Sequence, residues 1–193
     1  MFGKVFASQR LNAVVVLLGI TISLGGCATT DSAAQFRSSI DNETWGSPAS
    51  RRMVAWNGRE RPGTIVIDTN RRTLALIQKG GTAIEYDVGV GRQGFQWSGV
   101  KQVSEKKVWP GWTPPEQMHA RQKGLPHYMA GGVENPLGAR ALYLGSSLYR
   151  IHGTSDPETI GQAVSSGCIR MNNSDVMDLF ERVHVGTPVV VKI

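Results

Sequence analysis

The sequence has little cysteine, little charge and no long apolar run, and each shortage excludes a class of protein. Of its 193 residues, 19% are charged and 40% are hydrophobic, and this balance excludes a mainly disordered chain. Its apolar stretch at residues 11–24 is too short to predict a membrane span. With only two cysteines the chain is not a disulfide scaffold, and its length suits one ordinary domain with a real core.

The sequence also lacks clustered basic residues with interleaved aromatic residues, which mark a nucleic-acid-binding face. Arg51-Arg52 and Arg71-Arg72 are only pairs, and solvated turns explain them equally well. The formal net charge is +6, and it falls to +4 when Lys4 and Arg10 are removed with residues 1–26. This mild basicity fits an anionic polymer such as a cell wall, or a membrane surface, and predicts no nucleic-acid partner.

Acidic residues are missing from the first thirty positions, and the first one is Asp31. Lys4 and Arg10 supply a basic segment, and the apolar stretch at 11–24 follows it. This layout is typical of a secretory signal. The sequence therefore predicts an exported protein.

The end of that signal, Leu24-Gly25-Gly26-Cys27, resembles the bacterial lipobox, in which cleavage precedes a cysteine that is then lipidated. We therefore predict a lipoprotein signal peptide at residues 1–26, lipidation of Cys27 and a lipid-anchored tether at 27–61. By the usual sorting rule, Ala28 favours a periplasmic protein held at the outer membrane. The alternative is an uncleaved anchor helix, but two glycines make a poor helix end.

The tether is rich in Ser, Ala, Asn, Thr and Gly without a clear period, as expected for a linker. We expect its apolar residues Trp45, Met53, Val54 and Trp56 to dock part of it on the folded body.

A lipid on Cys27 would leave Cys168 without a disulfide partner. Exported domains commonly pair their thiols, so a free one is either buried and inert or present for its chemistry.

The body, residues 62–193, is predicted to be mainly β with two or three short helices. Predicted strands and turns alternate along it, and the β-rich runs are at 64–67, 73–77, 83–90, 141–144, 148–152 and 188–193. The spacing Gly89, Gly91 and Gly94 looks like a phosphate loop, but no helical pattern follows it, so tight turns are predicted instead.

Three helices are predicted between these strands. Thr113 is expected to cap the first, which runs through His119. Asp156-Pro157-Glu158 is expected to start the second, with Ile160 and Val164 facing inward. Asn173 or Ser174 is expected to cap the last, whose apolar face comprises Val176, Leu179, Phe180 and Val183.

A long segment without period, residues 121–138, is predicted to form a lid or binding wall. His127, Tyr128 and Met129 are its bulkiest members. Tyr128 and Met129 are candidates for substrate contact, although they could equally cover the core.

The residues best suited to catalysis lie near the C-terminus. His152 ends a predicted strand, and Cys168 follows sixteen positions later. An imidazole close to a thiol can take its proton and return it to a leaving amine. The amides of Gly167 and Cys168 could stabilise an oxyanion, and Arg170 could bind a substrate carboxylate through its guanidinium fork.

Two motifs here, His152-Gly153-Thr154 and residues 165–172 (SSGCIRMN), resemble the signature of the L,D-transpeptidases with a YkuD-type catalytic domain. The resemblance extends over residues 62–193 and implies a YkuD-type β-sandwich of mixed and antiparallel strands. One departure is Ser166, where many members carry a second His.

The resemblance implies a role for each matching residue. Cys168 would be the nucleophile, His152 the general acid/base, and Gly153 the carbonyl that orients His152. Arg170 and Asn172 match positions assigned to substrate binding or site support; a structural ion pair is an equal alternative for Arg170, and loop shaping is favoured for Asn172.

The implied reaction is acyl transfer on peptidoglycan, without a metal or organic cofactor. Cys168 attacks a stem tetrapeptide, D-Ala leaves, and an acceptor amine resolves the thioester. The acceptor is another stem peptide or a terminal Lys of an outer-membrane protein or lipoprotein. The alternative is hydrolysis of the same thioester by an L,D-carboxypeptidase or amidase.

Two further hypotheses involve no acyl transfer. One is a non-catalytic wall-binding lipoprotein in which Cys168 is merely buried. The other is a zinc site using Cys168, His152, His184 or His127, which is disfavoured because no paired ligand spacing is present.

Overall fold

The computed structural model describes residues 49–193, so the predicted signal peptide, Cys27 and Trp45 lie outside the described residues. The described part is mainly β, as predicted. Its strands are β1 (Arg52–Ala55), β2 (Ile65–Asp68), β3 (Thr73–Gln78), β4 (Thr82–Asp87), β5 (Val90–Gly91), β6 (Gly99–Val108), β7 (Arg140–Leu144), β8 (Arg150–His152), β9 (Ala163–Ser165), β10 (Ile169–Arg170) and β11 (Pro188–Lys192). Its helices are α1 (Glu116–Arg121), α2 (Asn173–Arg182) and a 3-10 turn at Pro157–Thr159.

Nine strands form one curled sheet in the order β1-β4-β3-β2-β11-β6-β7-β8-β10, and β5 pairs with β9 in a second small sheet. The sheet is mixed, because β11 runs parallel to β2 and β10 runs parallel to β8, while the other pairs in it are antiparallel. The curl is centred on β6, whose first half pairs with β11 and whose second half pairs with β7 across a bulge. A bulge bends its strand in this way.

The strands β2 to β4 are buried on both faces, which explains their nearly continuous apolar runs. On one face, Ile65, Ile67 and Leu74 join the main core. On the other face, residues including Val66 and Ile77 form a smaller cluster, against which Val54 and Trp56 pack. The predicted docking of Val54 and Trp56 is thus seen, whereas Met53 is 64% exposed.

The C-terminal helix α2 buries the predicted apolar face. Val176 and Leu179 are fully buried, Val183 is buried just beyond the helix, and Phe180 packs against the same core. Its cap differs from the prediction, because the N-cap position is Asn172 and no side chain caps the helix. Likewise, α1 lies where a helix was predicted, but its N-cap is Pro115 rather than Thr113.

The predicted helix after Asp156 is wrong. Only a 3-10 turn forms at Pro157–Thr159, and Val164 lies in β9 with 37% of its surface exposed. The chain turns back because the amide of Gly161 donates to the Val88 carbonyl and the amide of Val90 donates to the Gln162 carbonyl. Pairing with β5 therefore overrides a helix start that was only locally favourable. Neither α-helix formed by residues 49–193 has the length and apolar character that a bilayer crossing requires.

Candidate active site

Two short parallel strands bring the predicted nucleophile and base together. His152 is the last residue of β8, and Cys168 immediately precedes β10, in which Arg170 lies opposite His152. The amide of Met171 donates to the His152 carbonyl at 2.8 Å, which fixes the two strand ends. Both Cys168 and His152 line one cavity.

The imidazole of His152 is held as a neutral base. It is 4% exposed, and its Nδ1 lies 2.6 Å from the Gly153 carbonyl oxygen. Because a carbonyl oxygen can only accept, Nδ1 carries the proton and Nε2 is free to take another. Burial lowers the pKa of His152 to about 3, with further lowering from the charges of Arg170 and Arg150. The ring is therefore uncharged at neutral pH.

The Cys168 side chain is half-buried, and its thiol is protonated at rest. Burial raises the pKa of the Cys168 thiol, and Arg150 and Arg170 oppose this rise. The thiol donates to the Leu148 carbonyl, with Sγ 3.7 Å from the oxygen. Arg150 was not identified from the sequence, although it precedes His152 by only two positions; its effect depends on the parallel pairing of β8 with β10.

The loop that carries Cys168 is fixed by its own side chains and by two aromatic rings. Ser165 Oγ donates to the Cys168 carbonyl at 2.6 Å and accepts from the Gly167 amide at 3.1 Å. Trp97 Nε1 donates to the Gly167 carbonyl at 2.8 Å, and its ring stacks on Tyr149 at 4.6 Å. Gly167 has a φ of +105°, and a Cβ there would lie 2.5 Å from the Tyr149 ring. Glycine is therefore required beside the nucleophile.

The predicted oxyanion donors differ in their availability. The Gly167 amide is engaged by Ser165 Oγ, so it is not free to bind an oxyanion in this conformation. The Cys168 amide makes no backbone hydrogen bond within residues 49–193, and it remains as a candidate donor.

The cavity around Cys168 is positively charged. Its volume is about 790 Å³, and four arginines line it without any acidic residue among its described walls. The lining residues are Arg92, Phe95, Trp112, Pro115, Gln117, Met118, Arg121, Gln122, Leu125, Pro136, Leu137, Ser147, Leu148, Tyr149, Arg150, His152, Val164, Ser165, Ser166, Cys168 and Arg170. Such a cavity favours an anionic ligand.

Arg170 lines the cavity, and it forms no ion pair with any residue of the described part. The alternative of a structural ion pair beneath the site is therefore not what the structure contains. Arg170 instead contributes positive charge next to His152 and Cys168.

Three predicted substrate-binding residues do not reach the cavity. Tyr128 is 64% exposed and lies over Gly111, while Met129 pairs through its backbone with Trp112. The segment 121–138 does contribute to the cavity wall, but through residues that include Arg121 and Leu125 and not through Tyr128 or Met129. Asn172 is buried at the N-cap of α2, and its carbonyl accepts from the Asp175 amide at 3.1 Å.

Two buried asparagines hold the loops around the site. Asn173 Oδ1 accepts from the amides of Ala139 at 2.9 Å and Thr154 at 3.3 Å, and its Nδ2 donates to the Thr154 carbonyl at 2.8 Å. Asn135 Nδ2 is within 3.2 Å of three carbonyls, those of Pro110, Met129 and Ala130. The sequence offered no sign of these roles, because a buried amide and an exposed one look alike in a loop.

Within residues 49–193, no three His, Cys, Asp or Glu side chains are grouped so that they could hold a metal ion.

A family model for YkuD, described as the L,D-transpeptidase catalytic domain, matches residues 62–191. The chain belongs to this family. The resemblance seen in the Cys168 and His152 motifs is thereby confirmed. Over 134 residues, this chain is 41% identical to "Probable L,D-transpeptidase YbiS" of Escherichia coli K12. This match covers 65% of the chain but 43% of that relative, so the chain spans less than half the length of the curated protein.

Solved structures share the fold. An L,D-transpeptidase from Mycobacterium smegmatis aligns with a TM-score of 0.54 at 17% identity, covering 67% of this chain and 58% of that one. At this identity the likeness concerns the fold alone. It agrees with the curled mixed sheet and few helices described above.

A structure from Brucella melitensis, named "Probable carnitine operon oxidoreductase caia", is 42% identical with a TM-score of 0.51. It covers 79% of this chain and 99% of that one. Its name points to a different chemistry from that of the YkuD family. In the present chain the Gly89, Gly91 and Gly94 motif lies at β5 and the following turn, and no helix begins after it before α1. A dinucleotide site needs that helix N-terminus, so this motif gives no support for one.

Proposed function

We propose that the protein is a peptidoglycan L,D-transpeptidase that acts by cysteine acyl transfer. The observation that carries this proposal is that Cys168 and His152, brought together by the pairing of β8 with β10, line one cationic cavity. The Gly153 carbonyl holds the imidazole proton on Nδ1, so that Nε2 is the available base. Membership in the YkuD family supports the choice of substrate.

In the first step, Nε2 of His152 takes the Cys168 proton as sulfur attacks the carbonyl of the diamino acid at the third position of a stem tetrapeptide. The carbonyl oxygen becomes an oxyanion, for which the Cys168 amide is the candidate donor. The C–N bond then breaks, and the imidazolium returns the proton to the departing amine of D-Ala. A thioester on Cys168 remains.

In the second step, an acceptor amine loses its proton to His152 and attacks the thioester. The sulfur leaves and takes that proton back from the imidazolium, which restores the Cys168 thiol, and the new amide is a 3-3 crosslink or a protein attached to the wall. Hydrolysis of the same thioester is the alternative outcome, and it would make the protein an L,D-carboxypeptidase or amidase. Incubation with tetrapeptide muropeptides distinguishes them, since transfer produces dimers and hydrolysis produces tripeptides.

Replacement of the nucleophile tests the chemistry. We expect Cys168→Ala to abolish D-Ala release and crosslinking, because the sulfur is the atom that is acylated, and to leave the thermal unfolding midpoint within a few degrees of wild type. Thr113→Ala is a matched control, because this residue caps no helix. Retained crosslinking by Cys168→Ala would exclude the thiol from the mechanism.

The location of the protein is part of the proposal. Export through the signal at residues 1–26 and lipidation of Cys27 would hold the domain in the periplasm at the outer membrane, next to its polymeric substrate. Labelling with radioactive palmitate, compared between wild type and Cys27→Ala, tests the anchor.

A further inference from the structure

Two arginines that the proposed reaction does not use meet at the edge of the cavity. Arg92 Nη1 lies 3.4 Å from Ser166 Oγ, and Arg121 Nη2 lies 3.5 Å from the same oxygen. Both guanidinium groups also lie over the ring of Phe95, at 4.1 and 5.4 Å from its centre. Arg92 follows β5 and Arg121 ends α1, so the fold brings together two cations that are distant in sequence.

This arginine pair, Arg92 and Arg121, has no anionic partner of its own in the described part of the chain. None of the ion pairs formed by residues 49–193 includes either residue, and no Asp or Glu lines the cavity. Two positive charges that share one hydroxyl repel each other. A carboxylate between them would replace this repulsion with charge-assisted hydrogen bonds.

The position of the pair limits which carboxylate it can hold. Ser166 is two residues before Cys168, so their Cα atoms are at most about 7 Å apart. An extended peptide advances about 3.3 Å per residue, so Ser166, which the pair shares, lies within about two residues' length of Cys168. Arg150 and Arg170, whose charges act on the thiol, are available to the substrate carboxylate nearest the scissile bond. The arginine pair is therefore available for a second carboxylate.

We propose that Arg92 and Arg121, with the Ser166 hydroxyl, form a specificity site for a second carboxylate of the acyl donor. This inference rests on the proposed function, since it assumes a peptide acylating Cys168. The chemistry that fits is a donor in which a γ-linked glutamyl residue precedes the diamino acid, because the γ-linkage leaves the α-carboxylate free. A donor with an α-carboxamide at that residue has the same shape without the charge.

The test compares two synthetic stem tetrapeptides that differ only in this group, the α-carboxylate or the α-carboxamide of the second residue. D-Ala release is measured to obtain kcat and KM for wild type, Arg92→Gln, Arg121→Gln and the double variant. We expect wild type to favour the carboxylate by about tenfold in kcat/KM, mainly through KM, as for one charge-assisted hydrogen-bonded group. The double variant should have equal kcat/KM for both donors, because it should lose affinity for the carboxylate donor only.

Lys123→Gln is the matched control, because Lys123 is an exposed cation just after α1 and is not among the cavity residues. It should keep the wild-type preference. Arg92→Lys with Arg121→Lys retains both charges and should keep part of the preference, which separates charge from loss of packing on Phe95.

The outcomes separate the two proposals. Equal kcat/KM for both donors in wild type, or an unchanged preference in the double variant, would overturn the second-carboxylate site while leaving acyl transfer intact. Release of D-Ala from neither donor by wild type would overturn the proposed function itself, and this inference with it.

Discussion

At the scale of single residues, the reactive pair is uncharged before substrate arrives. Burial acts on both partners in the direction that removes charge, since it raises the pKa of the Cys168 thiol and lowers that of His152 to about 3. A preformed thiolate-imidazolium pair would need the opposite shifts. In the proposed reaction the thiolate would therefore form only as Nε2 takes its proton, which limits side reactions of a free thiol.

Alkylation by iodoacetamide tests this state, because the thiolate is the reacting form. With the thiol pKa raised, the rate at Cys168 should still be rising at pH 9, without a plateau between pH 5 and 8. Arg150→Met removes a charge that lowers this pKa, so the rate at pH 8 should fall about three- to tenfold. The rate is measured by mass spectrometry of the modified peptide.

Lys79→Met provides the control for charge removal, since Lys79 is an exposed cation where β3 turns into β4. It should leave the alkylation profile unchanged. A plateau with a midpoint below pH 7 in wild type would show a preformed thiolate and contradict the assignment of neutral partners.

At the scale of elements, strands whose sequences alternate or are rich in β-branched residues could be predicted. The residues at the ends of those strands could be predicted as well. His152 at the end of β8 is one example. The 3-10 turn at Pro157–Thr159 shows where prediction failed, because a proline after an acidic residue starts many helices and only the pairing of β9 with β5 decides against one here. Ser165 and Asn173 could not be predicted, because their partners are backbone groups fixed by the loops themselves.

The loop carrying Gly153 and Thr154 depends on one side chain of α2. We expect Asn173→Ala to lower the free energy of unfolding by about 2–4 kcal/mol, because it leaves buried amides of Ala139 and Thr154 and the Thr154 carbonyl without partners. It should also lower kcat more than it raises KM, since the neighbouring Gly153 carbonyl orients His152. Steady-state kinetics and urea unfolding measure the two effects.

Ser174→Ala is the matched control, because Ser174 Oγ is buried next in sequence and has no hydrogen-bond partner in the described part. It should change neither property appreciably. Asn173→Asp keeps the two accepted hydrogen bonds and loses the donated one, so it should recover part of kcat. A kcat for Asn173→Ala equal to wild type would remove Asn173 from the positioning of His152.

At the scale of the whole molecule, the cavity depends on a sheet curled around β6 and closed by a C-terminal strand between β2 and β6. The sequence identified β11 as a strand but gave no information on its neighbours, because strand order is decided by packing between distant segments. The four arginines of the cavity come from four different places in the fold, namely β8, β10, α1 and the segment after β5. Arg92 and Arg121 belong to no motif in the sequence, because only the fold brings both of them to Ser166.

A buried carboxylate ties the segment before β1 to α2. Asp175 is fully buried, and its Oδ2 accepts from the Ser50 amide at 3.0 Å and from Ser50 Oγ at 2.8 Å. Ser50 Oγ in turn accepts from the Asp87 amide beside β1, at 2.9 Å. Burial raises the pKa of Asp175, and Ser50 and Arg51 oppose this rise. The charged carboxylate therefore costs stability at neutral pH.

The pH dependence of this loss of stability predicts how the unfolding midpoint of Asp175→Asn differs from that of wild type. Below the ordinary pKa of 3.8 the carboxyl is protonated in both states and costs nothing. Above it the unfolded chain ionises first, and stability falls until the raised folded pKa is passed. Asn accepts the same two hydrogen bonds without charge, so its unfolding midpoint at pH 7 should exceed that of wild type by about 2–4 °C, or about 1 kcal/mol. At pH 3 the two midpoints should coincide.

Differential scanning calorimetry at both pH values provides the measurement, with Asp156→Asn as the control. Asp156 is exposed in the turn before the 3-10 segment, so its neutralisation should change stability by less than about 0.5 kcal/mol at either pH. A lower midpoint for Asp175→Asn at pH 7 would mean that the hydrogen bonds from Ser50 and the charge of Arg51 outweigh burial. The carboxylate would then stabilise the attachment of the N-terminal segment, and its pKa would have to lie below the ordinary value.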